Sequence, residues 1–332
     1  MARAMLPARL CRADPRMVRR HIKRLAGLGL ALALAGCDMP APTPVAAPAV
    51  VPEIAPPPGS GTRSLRSEQL TRYYAQLQAD LLTQGLLRTD GGGPDTPYSA
   101  DTLMRNFERI AFFDEYAEGA GISASAGLAA GKLRRWDAPV RMDVSFGASV
   151  PVSRRNEDLA SVRNYIGRLS RVTGHSITYS SSGNFHVLFM SEDDKDEAAR
   201  VLRQKVPNIS ERTLEIITNL PRSIHCLVVA FSGNENPQSY TRAVALIRAE
   251  HPDLIRLSCV HEELAQGLGL ANDSPEARPS IFNDDDEFAL LTSHDEQLLG
   301  ILYDPRLSPG MDAEEARPIV RIIARERLGE PL

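Results

Sequence analysis

The sequence contains few of the residues on which common catalytic sites depend. Its 332 residues include four cysteines and one tryptophan, and aromatic residues make up 5% of the chain. Because there is no Cys-x-x-Cys pair, thiol redox catalysis is not expected. A Gly-x-Ser-x-Gly segment and a phosphate-binding loop are also missing, so serine hydrolysis and nucleotide hydrolysis have no support. Five of the histidines show no metal-ligand spacing: His175, His186, His225, His251 and His294.

Positive charge is concentrated at the amino terminus. Residues 1–36 contain eight arginines and lysines against one acid, Asp14, so the formal net charge of −4 corresponds to −11 for residues 37–332. Binding of nucleic-acid phosphates requires clustered cations. We therefore expect no nucleic-acid partner.

Residues 1–36 have the pattern of a signal peptide. The cationic residues 19–24 precede eleven apolar or small residues, 25–35, a run too short to span a bilayer as a helix. The ending Leu34-Ala35-Gly36-Cys37 resembles the lipobox of bacterial lipoproteins. This resemblance implies cleavage before Cys37, a lipid on that thiol, and a periplasm-facing protein anchored to the inner or outer membrane. An ordinary signal peptide followed by a chance cysteine is the alternative.

Residues 37–62 form a Pro/Ala-rich segment, with eight prolines in 39–60. Such a composition cannot bury a core and favours extended polyproline-type backbone of about 3 Å per residue. We interpret it as a tether between the membrane anchor and the folded body.

The remaining cysteines, Cys226 and Cys259, are an even pair in a chain that we expect to be exported. A disulfide between them is the simplest interpretation. Two buried free thiols are the alternative.

The folded body is expected to have two parts. Residues 63–130 form an N-terminal helical segment, with one helix beginning at Ser67 and stopped by Gly85, and a second capped by Ser99 or Asp101. Residues 131–325 have an α/β (α+β) pattern that predicts a mixed sheet. Its expected elements are a half-buried strand at 140–146, a helix at 156–172, strands at 177–179 and 185–190, a central strand at 227–231 and an edge strand at 243–247.

The segment 262–272 carries the candidate chemistry. It resembles the metzincin metallopeptidase signature H-E-x-x-H-x-x-G-x-x-H, with Glu263 at the general-base position and Gly269 at the turning glycine. The three zinc-ligand positions hold Glu262, Gln266 and Asn272 instead of histidines. The resemblance implies a metzincin-like domain with an active-site-type helix, in which Phe282 takes the place of the usual turn methionine.

The donor set at these positions is unlike that of a zinc enzyme. A carboxylate with two amides is a hard oxygen set that suits Ca²⁺ or Mg²⁺ better than Zn²⁺. Reading from His261 instead gives the start of H-E-x-x-H, but the second histidine is replaced by Ala265. We therefore expect no resident cofactor, with zinc or calcium as the alternative, and we expect His261 to be a hydrogen-bonded histidine under the sheet.

The chain is also similar to an uncharacterised family of bacterial lipoproteins, the domain of unknown function 2927. The similarity covers roughly residues 65–320, and the segments that carry it are 87–93, 105–107, 133–136, 262–266, 268–273, 280–284 and 302–307. It implies no established activity.

Two functions follow as hypotheses. The first is a non-catalytic, metallopeptidase-like domain that binds a peptide or an envelope protein partner in the former cleft. The alternative is a divergent metallohydrolase of envelope peptides, with Glu263 as base and Glu262, Gln266 and Asn272 or Asp273 as ligands. Glu262 and Glu263 could also lie on a solvated face. The acidic run 283–287 is expected to be a solvated loop, with a cation-binding loop as the alternative.

The first testable prediction concerns Cys37. Metabolic labelling with palmitate should mark the wild-type protein and not Cys37→Ala, because the diacylglycerol is attached through this thiol. Mass spectrometry of the mature protein should find residues 1–36 absent. Labelling that persists in Cys37→Ala, or an intact amino terminus, would contradict the lipoprotein interpretation.

Overall fold

A computed structural model describes residues 4–5, 63–113 and 130–331. Cys37 and the tether lie outside the described residues, as does all of the proposed signal peptide except residues 4–5. Among the described helices, none has the length and apolar character needed to cross a membrane.

A mixed sheet forms the centre of the fold. Its strands are β1 (Ala4–Met5), β2 (Val140–Phe146), β3 (Ile177–Tyr179), β4 (Phe185–Met190), β5 (Cys226–Ser232) and β6 (Tyr240–Arg248). They lie in the order β1-β5-β6-β4-β2-β3. The strands β3, β2, β4 and β6 are parallel, whereas β5 runs antiparallel to β6, and the two residues of β1 pair with β5. The predicted α/β class with a mixed sheet is confirmed.

Eight helices lie within the described residues: α1 (Leu65–Thr83), α2 (Ala100–Phe112), α3 (Val152–Thr173), α4 (Lys195–Lys205), α5 (Glu211–Thr218), α6 (Asp253–Gln266), α7 (Ser293–Leu302) and α8 (Ala313–Leu328). The first two are the predicted N-terminal helical segment. The side chain of Ser99 caps α2 by accepting from Thr102 N, as one of the two predicted caps would. Gly174 ends α3 at φ 65°, a left-handed conformation that glycine adopts without strain.

Helices cover both faces of the sheet. On one face the core contains side chains from α2, α3, α6, α7 and α8, and on the other face it contains side chains from α4 and α5. Trp136 belongs to the first core, where it stacks on Phe185 of β4 and donates its indole N–H to the carbonyl of Gly267 at 2.8 Å. The residue that follows α6 is thereby fixed against the sheet.

The predicted place of one strand is wrong. β6, expected at the edge, lies inside the sheet between β4 and β5, and β5, expected at the centre, lies between β6 and the two-residue strand β1. Arg248, at the end of β6, is buried and donates to the carbonyls of Leu220, Pro221 and Ile224. Since both faces of this sheet are covered, hydrophobicity does not distinguish an inner strand from an outer one.

The predicted disulfide is confirmed. Cys226 at the start of β5 is bonded to Cys259 in α6, with a Cα–Cα distance of 5.8 Å. The bond joins the antiparallel strand to the buried helix across a sequence separation of 33 residues.

Removal of this bond should destabilise the protein. For a closed loop of this length, the chain-entropy model gives a stabilisation of roughly 3–4 kcal/mol. We expect the double variant Cys226→Ala/Cys259→Ala to lose about that much free energy of unfolding in urea titrations under oxidising conditions. With reductant present the wild type should approach the variant, and an unchanged midpoint in the variant would contradict the prediction.

Candidate functional site

The predicted site lies on α6, which is surrounded by the rest of the fold. This helix follows β6 and is buried from Ile255 to Gln266 except at Leu257. At its amino end, the N–H groups of Leu254 and Ile255 both donate to Oε1 of Gln78 in α1, at 3.1 Å each. Its polar side chains therefore meet protein and not bulk water.

Glu262 and Glu263 are close to one another and buried away from solvent. Each is 1% exposed, and their carboxylate oxygens and the sulfur of Cys226 lie within 4.8 Å of one another. That sulfur belongs to the disulfide, so it is not a thiolate ligand. The cavity that Glu262 lines has a volume of about 10 Å³, near the lower limit for a single water molecule. A substrate could not occupy a cavity of this size.

Gln266 and Asn272 point to different partners. Nε2 of Gln266 donates to Oδ1 of Asp273 at 3.4 Å, whereas Nδ2 of Asn272 donates to the carbonyl of Arg109 in α2 at 2.9 Å. The backbone N–H of Asn272 also bonds to α2, at the carbonyl of Ile110. Asn272 thus attaches the segment after α6 to the N-terminal helices.

Gly269 allows a sharp turn after α6. Its φ is +131°, a value that L side chains rarely adopt, and a Cβ here would lie 2.4 Å from the carbonyl oxygen of Arg134. The chain therefore turns directly after α6 and returns toward α2.

His261 is a buried structural histidine. Its ring stacks on Tyr165 of α3 at a centroid distance of 4.0 Å, and its Nδ1 accepts a hydrogen bond from the N–H of Leu291 at 3.0 Å. Burial, with a smaller effect of the nearby Arg168 charge, lowers the pKa of His261 to about 3. The neutral imidazole holds α3, α6 and the segment before α7 together.

The segment around Phe282 is organised by Asp295. This carboxylate is fully buried and accepts hydrogen bonds from the hydroxyl of Ser280 at 2.5 Å, the N–H of Ile281 at 3.0 Å and the N–H of Thr292 at 2.9 Å. Phe282 itself is buried in the main core. The turn is therefore held by a carboxylate of α7.

The acidic run 283–287 divides into two environments. Asp284 and Asp285 are exposed, as expected for a solvated loop, whereas Asp286 is buried. Glu287 forms ion pairs with Arg88 at 3.0 Å and Arg278 at 2.6 Å. The end of the run therefore belongs to an arginine–carboxylate network.

A second candidate site lies at the other end of α6 and was missed by the sequence analysis. We call it the strand-end cleft: an open cavity of about 380 Å³ where the parallel strands β2, β4 and β6 end. It is lined by residues 149–151, 153–154, 191 and 249–252, which follow these strands, by Arg256 of α6, and by residues 63, 67, 71 and 75 in or just before α1. Ligands of open α/β sheets commonly bind at the carboxyl ends of parallel strands.

Asp194 joins two walls of the strand-end cleft. It accepts from the N–H and the hydroxyl of Ser149, at 3.0 and 2.5 Å, and from the N–H of Ser191 at 2.8 Å. Burial favours a raised pKa for Asp194, but these hydrogen bonds outweigh it and lower the pKa. Gly147 lies so close that a Cβ would come within 2.2 Å of this carboxyl group. The loop after β2 and the turn after β4 are thus locked together.

Glu250 joins the third wall. It is 3% exposed, and its Oε1 accepts from the N–H of Glu192 at 2.6 Å and from the hydroxyl of Ser67 in α1 at 2.9 Å. Burial raises its pKa. Arg256 closes the floor by donating to the carboxylate of Asp158 and to the carbonyls of Ala249 and His251. The cleft is therefore preformed by buried polar bonds.

The strand-end cleft has no compact sequence motif, because its residues come from positions between 63 and 256. One signal was available. Polar residues follow three of the predicted strands, as Ser149, Ser191 and Glu250. Had those strands been recognised as parallel, their carboxyl ends would have been expected to meet at one edge.

Comparison with known proteins identifies the family. The model of a family described as "Protein of unknown function (DUF2927)" matches residues 100–322, about two thirds of the chain. The chain therefore belongs to this family. No curated protein and no solved structure gives a significant match.

The low pKa of His261 predicts acid sensitivity. At a pH below the ordinary histidine pKa of about 6.5, His261 is protonated in the unfolded chain but stays neutral in the folded protein. The free energy of unfolding therefore decreases as the pH falls toward 3. The loss from this residue should approach about 1.4 kcal/mol per pH unit. In His261→Asn the side-chain oxygen can accept the same hydrogen bond without titrating, and the variant should show a flatter dependence of unfolding free energy on pH between 6 and 4. Parallel curves for the two proteins would contradict the assignment.

Proposed function

We propose that this DUF2927 protein is a lipid-anchored, periplasm-facing protein of the cell envelope whose α/β domain binds a partner molecule without hydrolysing it. The observation that carries the proposal is the contrast between two places on α6. The carboxylate pair Glu262 and Glu263 is sealed at 1% exposure, whereas the strand-end cleft at the start of the helix is open and preformed. Binding is therefore assigned to the cleft.

The donor set of the motif does not fit a catalytic zinc. Cys226 is in a disulfide, Asn272 donates its amide to a backbone carbonyl, and the amide of Gln266 donates to Asp273. A zinc hydrolase needs three good ligands and an open position for water. Without them Glu263 has no activated water to deprotonate.

The arrangement of elements supports descent from a metzincin-like domain. The sequence β2-α3-β3-β4 corresponds to the strand–helix–strand–strand order expected for the upper half of a zincin domain, and α6 with the turn at Gly269 occupies the place of the active-site helix. In this interpretation the former catalytic helix now has a structural role.

Envelope localisation is supported by cysteine chemistry. The bond between Cys226 and Cys259 requires an oxidising compartment to persist. The signal peptide, the lipidated Cys37 and the tether at 37–62 would place the body outside the cytoplasm, within reach of the membrane.

A divergent metallohydrolase is the second candidate function. It is favoured by one observation, the approach of the Glu262 and Glu263 oxygens to within 4.8 Å in a buried site. Two buried carboxylates this close repel one another, and a cation between them would offset the repulsion. Calcium or zinc would be the cation in question.

Metal analysis and one substitution separate the two functions. We expect the purified protein to contain no stoichiometric zinc or calcium, and chelator to leave its melting temperature unchanged. Glu263→Gln should change the free energy of unfolding only modestly and should leave any peptidase activity of the preparation unchanged. Glu276 is an exposed acid, and Glu276→Gln is the matched control. About one metal ion per chain, or a peptidase activity lost in Glu263→Gln and kept in Glu276→Gln, would make the enzyme the leading interpretation.

A further inference from the structure

We propose that a second cavity, on the other side of α1 from the strand-end cleft, binds a phosphate monoester through the guanidinium groups of Arg222 and Arg248. We call this cavity of about 230 Å³ the arginine pocket; the residues that line it include Arg66, Leu70, Tyr73, Glu192, Arg222 and Arg248. It shares no lining residue with the strand-end cleft, so the inference goes beyond the proposed function.

Arg248 is a buried cation that has only neutral partners. It is 6% exposed, and its Nη2 donates to the carbonyls of Leu220 and Pro221 at 2.6 and 3.0 Å, while its Nε donates to the carbonyl of Ile224 at 3.3 Å. Its Nη1 has no hydrogen-bond partner among the described residues, yet this atom is not sealed from solvent. Because a buried charge normally has a counter-charge, Arg248 indicates that an anion binds here.

The acids near Arg248 are bonded to other groups. Oε1 of Glu250 accepts from the hydroxyl of Ser67 and from the backbone N–H of Glu192, at 2.9 and 2.6 Å. The carboxylate of Glu192 lies 2.6 Å from Nε of Arg66 and 2.6 Å from Nζ of Lys195, so two cations share its one charge. Within the described part of the chain, the buried guanidinium therefore has no carboxylate in an ion pair with it.

Arg222 provides a second guanidinium that a ligand can use. Its side chain is exposed, and the guanidinium lies over the ring of Tyr73 in α1, 5.0 Å from the ring centroid. This cation–π contact holds the group at the pocket. No described carboxylate pairs with Arg222, so an incoming anion would not have to displace one.

The charge and the size of the arginine pocket favour a small phosphate monoester. Three guanidinium groups and one carboxylate line it, an excess of two positive charges. A phosphate monoester carries about two negative charges at pH 7, whereas a carboxylate carries one. Its oxygens also match the fork of a guanidinium group. The volume lies below the usual range for drug-sized ligands, which limits the bound group to a few heavy atoms around the phosphate.

The phosphate could belong to a soluble ester or to the headgroup of a phosphatidic acid. Both present the same monoester to the two arginines. Arg66 lies four residues after the expected end of the tether at residue 62, so a membrane headgroup is as accessible to the pocket as a soluble ligand.

The test uses the full-length protein mixed with nanodiscs of neutral phosphatidylcholine. Binding of glycerol 3-phosphate is measured by calorimetry, with glycerate as the carboxylate analogue. Arg222→Gln removes one of the two guanidinium groups at an exposed position and should weaken binding of glycerol 3-phosphate at least about tenfold. Arg200 is an exposed cation of α4 outside the pocket, and Arg200→Gln is the matched control. Equal unfolding midpoints would show that both variants are folded.

We expect glycerol 3-phosphate to bind the wild type and Arg200→Gln equally, and glycerate to bind at least about tenfold more weakly. Discs with phosphatidic acid are then compared with phosphatidylglycerol discs of equal surface charge. Weaker apparent binding of glycerol 3-phosphate only with phosphatidic acid would identify the lipid headgroup as the occupant, and equal binding would identify a soluble ester.

Three results would overturn the inference: no measurable binding by the wild type with neutral discs, equal affinity for glycerate, or unchanged binding in Arg222→Gln. None of them affects the metal and peptidase measurements on Glu263→Gln, so the two proposals fail separately.

Discussion

The burial of α6 is the constraint on which the rest of the structure depends. This helix carries Arg256, His261, Glu262 and Glu263, yet almost every one of its residues is removed from water. Because a buried polar group without a partner is costly, each neighbouring element has to supply partners or exclude solvent. The sheet contributes a disulfide, α3 contributes Asp158 and Tyr165, and α1 covers the amino end. The N-terminal helices are therefore part of the environment that α6 requires.

Buried charged groups have different surroundings at the two ends of α6. At its carboxyl end the acidic pair is enclosed, and the cavity that Glu262 lines is about the size of one water molecule. At its amino end, Asp194 and Glu250 are used to connect loops, and the connected loops surround an open volume. A site that is preformed in this way needs little rearrangement to bind, which reduces the entropic cost of association.

Local patterns in the sequence predicted local structure well. The strands at 140–146, 177–179 and 185–190 were placed as they are found, because alternation and apolar runs there reflect burial directly. The positions of β5 and β6 in the sheet depend on long-range pairing, which hydrophobicity does not encode. The same limit applies to the sites. A contiguous motif located the acidic pair on α6, but its sealing by distant elements and the assembly of the strand-end cleft from separate loops required the three-dimensional structure.

Because of the bond between Cys226 and Cys259, the lifetime of the protein depends on whether its compartment is oxidising or reducing. A stabilisation of roughly 3–4 kcal/mol changes the unfolded population on the order of 100- to 1,000-fold. A chain retained in a reducing compartment would unfold that much more often and be exposed to proteases each time. Proteolysis would therefore remove first those copies that failed to reach an oxidising compartment and so lack the disulfide.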